Sequence, residues 1–323
     1  WRPEQGKVVR MFCNISYPDG RPFEGDTRGI LKQAVAAAAE EGYAFTFGAE
    51  MEFYLFKLDE NGEQIKIPYD RAGYMDIAPD DKGENIRREI CLMLEQMGIC
   101  PESSHHESGP GQNEIDFRYS DPLTAADNAI TFNAIVRTVA AQNGLWASFS
   151  PKPLADWDGN GMHINIAVKD DEETSLLPAI IAGILDKITE ITLFLNPCEE
   201  SYRRLGHDKA PRYVTWSAEN RSQLIRIPAA VGEHQRVELR SADPMTNPYI
   251  AYALLIYASL YGIKNKLSLP AATDVNLYHI SSEVMASLRK LPVSLYEAAT
   301  LTMSSPFVKA YLPEAVICAY THQ

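Results

Sequence analysis

Four short segments place charged side chains at every second position. In GAEMEFYLF (48–56), Glu50 and Glu52 alternate with Met51, Phe53 and Leu55. In NEIDFRY (113–119), Glu114 and Asp116 alternate with Ile115 and Phe117. In MHINIAV (162–168), His163 and Asn165 alternate with Ile164 and Ile166, and in RVELR (236–240), Arg236, Glu238 and Arg240 alternate with Val237 and Leu239. Side chains of an extended chain switch faces at each residue, so every segment predicts a strand with one apolar and one polar face. A solvated face of an antiparallel strand normally mixes hydroxyls and both signs of charge. Here the polar positions are mostly carboxylates, with one histidine. If the strands share a sheet, these like charges repel one another unless cations neutralise them. Carboxylate oxygens with at most one imidazole suit Mg²⁺ or Mn²⁺ better than zinc or copper.

The elements that must carry these strands are legible as helices and turns. The Ala-rich stretch from Arg28 to Glu41 predicts a helix ended by Gly42, and Glu84 to Met97 predicts another stopped by Gly98. Thr124 is the expected cap of a third helix ending near Gly144. Leu176 to Leu195 reads as a fourth, closed by Asn196 and Pro197, and Asn247-Pro248 opens a fifth that continues to about Lys266. Two or three shorter helices are expected from Ser282 onward, and residues through Asp26 read as irregular. The predicted class is α+β, an antiparallel metal-lined sheet flanked by helices.

Bulk composition narrows the function. The 323 residues, 46% of them hydrophobic, can bury a large core. The net charge of −13 argues against a nucleic-acid or anionic-membrane partner, both of which call for a basic surface. The apolar run Tyr249–Ile263 is shorter than a membrane span and reads as a buried helix. Five widely spaced cysteines without a C-x-x-C pair indicate neither a disulfide framework nor a thiolate zinc site, so a reducing cytoplasm is the expected location. The chain opens at Trp1 without a methionine, and a preceding segment is therefore expected.

Taken together, the segments resemble the catalytic domain of glutamine synthetase. Those that match, in the family's order, are PFEGDTR (22–28), GAEMEFYLF (48–56), HHESGPGQNEIDFRY (105–119), GNGMH (159–163), NP…SYRRL (196–205), ENRSQLIRIP (219–228) and RVELRSADPMTNPY (236–249). The resemblance covers nearly the whole chain and implies a single catalytic domain over residues 1–323, with the family's N-terminal β-grasp domain absent from these residues. It further implies ATP and two or three Mg²⁺ or Mn²⁺ ions as cofactors. One ion would be held by Glu52, Glu107 and Glu114, and another by Glu50, His163 and Glu238. His105 and His106 are expected to orient the site rather than bind metal. Arg204, Arg221 and Arg240 would bind the substrate carboxylate and stabilise the transferring phosphoryl group. Arg226, Arg236 and Asn165 would face the nucleotide, and Asp158 with Gly159 the amino-acid end of glutamate. Arginine suits this work because its planar fork stays charged and binds two oxygens at once. The family's sheet forms part of a barrel between neighbouring subunits of hexameric rings, so the resemblance implies a homo-oligomer, a dodecamer of two stacked rings.

Several positions depart from the family pattern. Its flap segment P-G-x-E-A-P becomes Gly206 followed by HDKAP, one residue shorter, with Lys209 where the catalytic glutamate falls. Asp208 is the expected substitute, since Ala210-Pro211 is retained and a short loop can present either side chain. Asp158 replaces an asparagine, Asn165 and Ala167 replace a histidine and a serine on the nucleotide side, and Glu233 replaces a lysine. The connection around Glu172–Leu176 is shorter than usual. The implied activity is ATP-dependent ligation of glutamate and ammonia through a γ-glutamyl phosphate. The altered flap keeps open a γ-glutamyl ligase for another amine, and a structural or regulatory relative with weakened catalysis.

Overall fold

The computed structural model describes residues 9–169, 176–218, 220–228, 236–279 and 281–322. Glu233 and most of the connection around Glu172–Leu176 therefore lie outside the described residues. The centre of the fold is one nine-stranded sheet. Its longest member, β1 (Ala44–Leu58), carries both Glu50 and Glu52. Along one edge β1 pairs with β4 (Gln112–Phe117), which pairs in turn with β3 (Pro101–His106). On the other side it pairs with β6 (Met162–Lys169), and the order continues through β9 (Val237–Leu239) and β8 (Ile225–Ile227) to β7 (Trp216–Ala218). Two further strands, β2 (Gln64–Pro68) and β5 (Leu145–Ser148), pair with the distal half of β1. The neighbours run antiparallel except β7 and β8, which are parallel, and the sheet is open rather than closed into a barrel.

Register sets the chemistry. Glu50 lies opposite Asp116 on β4 and opposite His163 on β6, while Glu52 lies opposite Glu114. Asn165 lies opposite Glu238, Glu238 opposite Arg226, and His105 opposite Glu114. Directly opposed residues bring their Cβ atoms to about 4.5–5.5 Å, so this register alone forces the acidic positions into one patch. A slip by one residue would send all of them into the apolar layer. That layer holds Met51, Phe53, Ile115, Ile164, Ile166, Val237 and Leu239, all buried.

The helices pack against that apolar face. They are α1 (Thr27–Glu40), α2 (Glu84–Gln96), α3 (Pro122–Gln142), α4 (Leu177–Leu195) and α6 (Pro248–Lys264), with the short α5 (Glu199–Arg204) leading into the flap. Asp121, rather than Thr124, caps α3: its carboxylate accepts from the N–H groups of Leu123 and Thr124. Pro122 supplies the first position, where its missing N–H costs nothing. The C-terminal part holds a 3₁₀ turn (Leu277–His279) and four helices, α7 (Ser282–Ser287), α8 (Leu295–Ser304), α9 (Pro306–Tyr311) and α10 (Glu314–Thr321), one more than expected. Serines at 281, 294 and 305 cap three of them, so short segments start helices that apolar periodicity alone does not announce.

The deepest packing is between α4 and α6. Gly183 and Gly262 meet backbone to backbone: a Cβ at Gly183 would stand 2.1 Å from the carbonyl oxygen of Ala258, and one at Gly262 2.1 Å from that of Ala179. No L side chain fits, so the two helices can approach only through these glycines. Gly262→Ala is expected to destabilise the fold by about 1–3 kcal/mol through overpacking. Urea unfolding midpoints of the variant and the parent measure it, and an unchanged midpoint contradicts this account of the crossing.

Candidate active site

The polar face of the sheet floors a cavity of about 410 Å³. Glu50, Glu52, Glu114, Asp116 and His163 line it from the sheet and Glu107 from the turn after β3, together with Arg204, Arg221, Arg226 on β8 and Arg240 just after β9. Two clusters stand out. Glu50, His163 and Glu238 bring ligand atoms within 4.8 Å of one another, as do His105, Glu107 and Glu114. His163 Nδ1 lies 3.0 Å from Glu50 Oε2 and 3.8 Å from Glu238 Oε1. His105 Nε2 lies 3.1 Å from Glu107 Oε1 and 3.9 Å from Glu114 Oε2. Glu52 stands beside both clusters, with Oε1 3.8 Å from His163 Nε2 and Oε2 accepting from the Gly161 N–H at 2.7 Å. The expected trio of Glu52, Glu107 and Glu114 is thus closed more tightly by His105 than by Glu52. Oxygen-rich clusters with a single imidazole each fit a hard divalent cation.

The electrostatics show how far these charges are from balanced by the protein alone. Burial pushes Glu52 up, and burial together with the charges of Asp116, Glu52, Glu50 and Glu107 pushes Glu114 well above the usual carboxylate range. Burial and the charge of Glu50 raise Asp116 to about 7. Two carboxylates go the other way. Burial opposes ionisation of Glu50, but hydrogen bonds from His163 and Asn165, the His163 charge and Arg240 outweigh it and hold the group at about 2. Glu107 is also held at about 2, because His105, Lys209 and the Ser108 N–H outweigh its burial.

Glu238 is fully buried and receives Arg226 and Arg240, each at 2.5 Å. Removing one partner from such a buried pair typically costs about 3–5 kcal/mol, so the three side chains hold one another in place. Arg204 has no such partner within hydrogen-bond reach: its guanidinium donates to the backbone oxygens of Ser241 at 2.7 Å and Arg240 at 3.3 Å. Burial lowers its affinity for the proton, and an anionic ligand would restore it. Gly159 allows the close approach of this arginine, since a Cβ there would stand 2.4 Å from the Pro151 carbonyl oxygen and 2.9 Å from Arg204 Cγ. Arg221 donates to the Tyr74 hydroxyl at 3.2 Å.

Other expected site residues sit differently. Asn165 donates to Glu50 Oε1 at 2.9 Å and accepts from Arg236 at 3.2 Å, so both buttress the cluster. Arg236 is not among the cavity-lining residues, and its guanidinium stacks over Tyr119. Asp158 lines the cavity, and burial raises its pKa. Asp208 does not line it. Its carboxylate pairs with Lys152 at 2.6 Å, and its φ of +51° turns the loop so that Lys209 enters instead. Of the two flap side chains, the expected Asp208 is turned to Lys152 and Lys209 is the one at the cavity.

Sequence reasoning passed over Gln112, Tyr74, His207 and Tyr278, all at the cavity. Gln112 bonds Glu52 Oε2 at 3.2 Å and the Gly159 carbonyl at 3.1 Å. It stands two residues before Glu114, so the alternation that singled out the acids could have found it. Tyr74 and His207 sit in irregular segments and Tyr278 in the 3₁₀ turn, and none of these carries such a period. His106 supports the site from behind. Its Nδ1–H donates to the Glu107 carbonyl at 2.6 Å and Nε2–H to Asp70 at 2.9 Å. Both partners are acceptors, so the ring carries two protons. Burial opposes that charge, and Asp70 with the Glu107 carbonyl outweighs it. Asp81 is taken up by Arg87, which leaves the Asp70–Asp81–His106 group as scaffold rather than a metal site.

A cavity lined by carboxylates, imidazoles and four arginines fits an enzyme that handles anions through cations. The sequence matches the family described as glutamine synthetase, catalytic domain, over residues 24–323. It is 44% identical to the glutamine synthetase of Clostridium saccharobutylicum, across 99% of this chain and 76% of that protein. It is equally similar to that of Methanosarcina mazei, across 99% and 75%. A solved structure of GmaS with ADP superposes with a TM-score of 0.83 at 28% identity, covering 94% of this chain and 74% of the other. The Plasmodium falciparum glutamine synthetase shares the fold, with a TM-score of 0.82 at 23% identity over 96% and 77%. The chain belongs to the glutamine synthetase family and is a ligase. No helix of the described residues is long and apolar enough to cross a membrane.

Burial and the charge of Glu50 raise Asp116 from the ordinary carboxylate range to about 7, so its ionisation weakens the fold progressively as pH rises from about 4 to about 7 and fully above that. Divalent cations relieve this repulsion, and below pH 7 protons compete with them. Addition of Mn²⁺ should therefore raise Tm by at least about 2 °C more at pH 8 than at pH 6. Calorimetry at the two pH values tests this, and equal increments would contradict it.

Proposed function

We propose that the protein joins glutamate to ammonia, using ATP, to form glutamine. The observation that carries the reading is the gathering, around one cavity, of two carboxylate–histidine clusters and four arginines. Glu50, His163 and Glu238 would hold one Mg²⁺ or Mn²⁺, and Glu107 and Glu114, with Glu52 and His105 beside them, a second. Bound there, the cations supply the positive charge that draws the nucleotide phosphates onto the acidic face. The chain's own residues do the rest. Arg204 and Arg240, with Asp158 and Gly159, receive the amino-acid end of glutamate. Arg226 meets the phosphates, and Arg236 acts through Asn165 on Glu50. A side-chain oxygen of glutamate attacks the γ-phosphorus and ADP departs, leaving γ-glutamyl phosphate. Arg221 and Arg240 face the phosphoryl group as it moves, and their fixed forks stabilise its charge without reorganising. The ammonia nitrogen then attacks the acyl carbon, phosphate leaves, and the surplus proton passes to a cavity carboxylate. Asp158, whose burial raises its proton affinity, suits that acceptor role better than Asp208, which Lys152 holds outside the cavity.

Family membership supports a cytoplasmic homo-oligomer, with the open sheet completed by a neighbouring subunit in a dodecamer of two hexameric rings. Phosphate release with ATP, Mg²⁺ or Mn²⁺, glutamate and a panel of amines tests the activity. Release is expected to require all components and to saturate with ammonia. Release only with alkylamines would assign the acceptor to that class instead. Arg240→Lys, which keeps the charge but loses the fork, should lower kcat/KM by about 10²–10³. A loss below tenfold would remove Arg240 from the phosphoryl-stabilising role.

A further inference from the structure

Arg204 is a buried cation that forms no ion pair among the described residues, although two carboxylates stand near it. Burial opposes its charge, and of the two acidic groups that favour it Asp243 comes ahead of Glu52. Glu52 lines the cavity, whereas Asp243 does not. Asp243 is wholly buried, and burial pushes its pKa up against the pull of Arg204 and of its hydrogen bonds. Its Oδ1 accepts from the Met245 N–H at 3.0 Å and its Oδ2 from Asn196 Nδ2 at 2.9 Å, with the Ser201 hydroxyl as a further donor. Partners that only donate favour the ionised carboxylate. Asn196 Nδ2 also reaches the Ser241 carbonyl oxygen at 2.8 Å, and that oxygen receives Arg204 Nη1 at 2.7 Å. One amide and one carbonyl thus link Asp243 to Arg204 without direct contact. We propose that Asp243 is a positioning residue: it holds the Arg204 guanidinium away from Glu52, so that the fork stays open to the carboxylate of glutamate. The inference rests on reading the cavity as a ligase site.

Glu52 is the competitor within reach. The Gly161 N–H donates to Glu52 Oε2 at 2.7 Å, and a Cβ at the same glycine would stand 2.8 Å from Arg204 Nη2. Guanidinium and carboxylate therefore flank one residue, and rotation about the last bonds of the arginine closes the gap. A bidentate pair formed there would be buried and charge-assisted, and would hold firmly. It would withdraw the arginine from substrate and the carboxylate from any cation. The groups that prevent this are fixed from behind. Ser201 and Arg204 stand three residues apart on α5, so one face of that helix meets both Asp243 and Ser241. The loop carrying Ser241 and Asp243 is tied to the end of α4. The Asp243 N–H and the Thr246 hydroxyl both donate to the Leu195 carbonyl oxygen, at 3.2 Å and 2.7 Å. An asparagine at 243 keeps the side chain's shape and removes the charge that balances Glu52.

The test titrates glutamate calorimetrically, without added divalent cation, into the parent, Asp243→Asn and the double variant Asp243→Asn/Glu52→Gln. Crystals of the parent and of Asp243→Asn locate Arg204. Asp243→Asn should weaken glutamate binding about tenfold to a hundredfold, the scale of a hydrogen bond to a charged group. The double variant lacks the competing carboxylate and should regain at least about threefold of that loss, which a merely loosened fold would not. The guanidinium should lie on Glu52 in crystals of Asp243→Asn and on the Ser241 carbonyl in the parent. An unchanged affinity in Asp243→Asn overturns the proposal, as does a loss that Glu52→Gln leaves in place; both spare the ligase reading. If Asp243→Asn does not fold, Ser201→Ala keeps the charge but loosens the carboxylate. It should weaken glutamate binding about threefold, and an unchanged affinity overturns the proposal. If the parent binds no glutamate and releases no phosphate with any amine, the ligase reading fails. The crystals then decide the positioning claim: Arg204 on Glu52 in Asp243→Asn supports it, and Arg204 still on Ser241 overturns it.

Discussion

The structure depends on a repulsion that the protein arranges and does not itself cancel. Seven acidic or imidazole side chains from β1, β4, β6, β9 and the turn after β3 converge on one face of one sheet. Only Glu238 is answered in full, by Arg226 and Arg240. Burial and mutual repulsion raise Glu114 and Asp116, whereas Glu50 and Glu107 fall because His163, Asn165 and Arg240 around the one, and His105, Lys209 and the Ser108 N–H around the other, outweigh burial. Charges packed this way are tolerated when bound cations complete them, and the two clusters could each hold a divalent metal.

Holding such a patch requires a rigid support, and the support is on the opposite face. Alternate residues of the same strands enter an apolar core closed by α1, α3, α4 and α6. The glycine contact between Gly183 and Gly262 lets α4 and α6 pack at backbone distance beneath the sheet. On the polar side, Gln112, Asn165 and the Gly161 N–H fix individual carboxylate oxygens, while His106 fixes the turn that carries Glu107. The cavity is therefore preorganised from two directions, by packing below and by hydrogen bonds within the polar layer.

The flap is built differently. Gly206 and Asp208 adopt positive φ, and the Asp208–Lys152 pair faces away from the cavity. The result exchanges an acidic group at the amine end for a basic one.

Much of this was determined by the sequence itself. The two-residue alternation of Glu50/Glu52, Glu114/Asp116, His163/Asn165 and Arg236/Glu238/Arg240 dictated strands with an acidic face, because strand geometry admits no other placement. The glycines after the first three helices and the Asn247-Pro248 start marked helix ends by the same local logic. What only the tertiary structure decided are relations between segments distant in the chain. Local pattern pointed to Thr124 as the cap of α3, and the carboxylate bonds of Asp121 correct it. Strand order determines that His105 closes on Glu107 and Glu114, with Glu52 shared between clusters. The choice between Asp208 and Lys209 is likewise invisible in the loop's residues. It depends on Lys152 capturing one side chain across 56 residues, and on Glu107, Ser108 and Tyr74 receiving the other. Neighbouring residues of a short loop point in different directions, and only the partners that the fold delivers decide which one faces the chemistry.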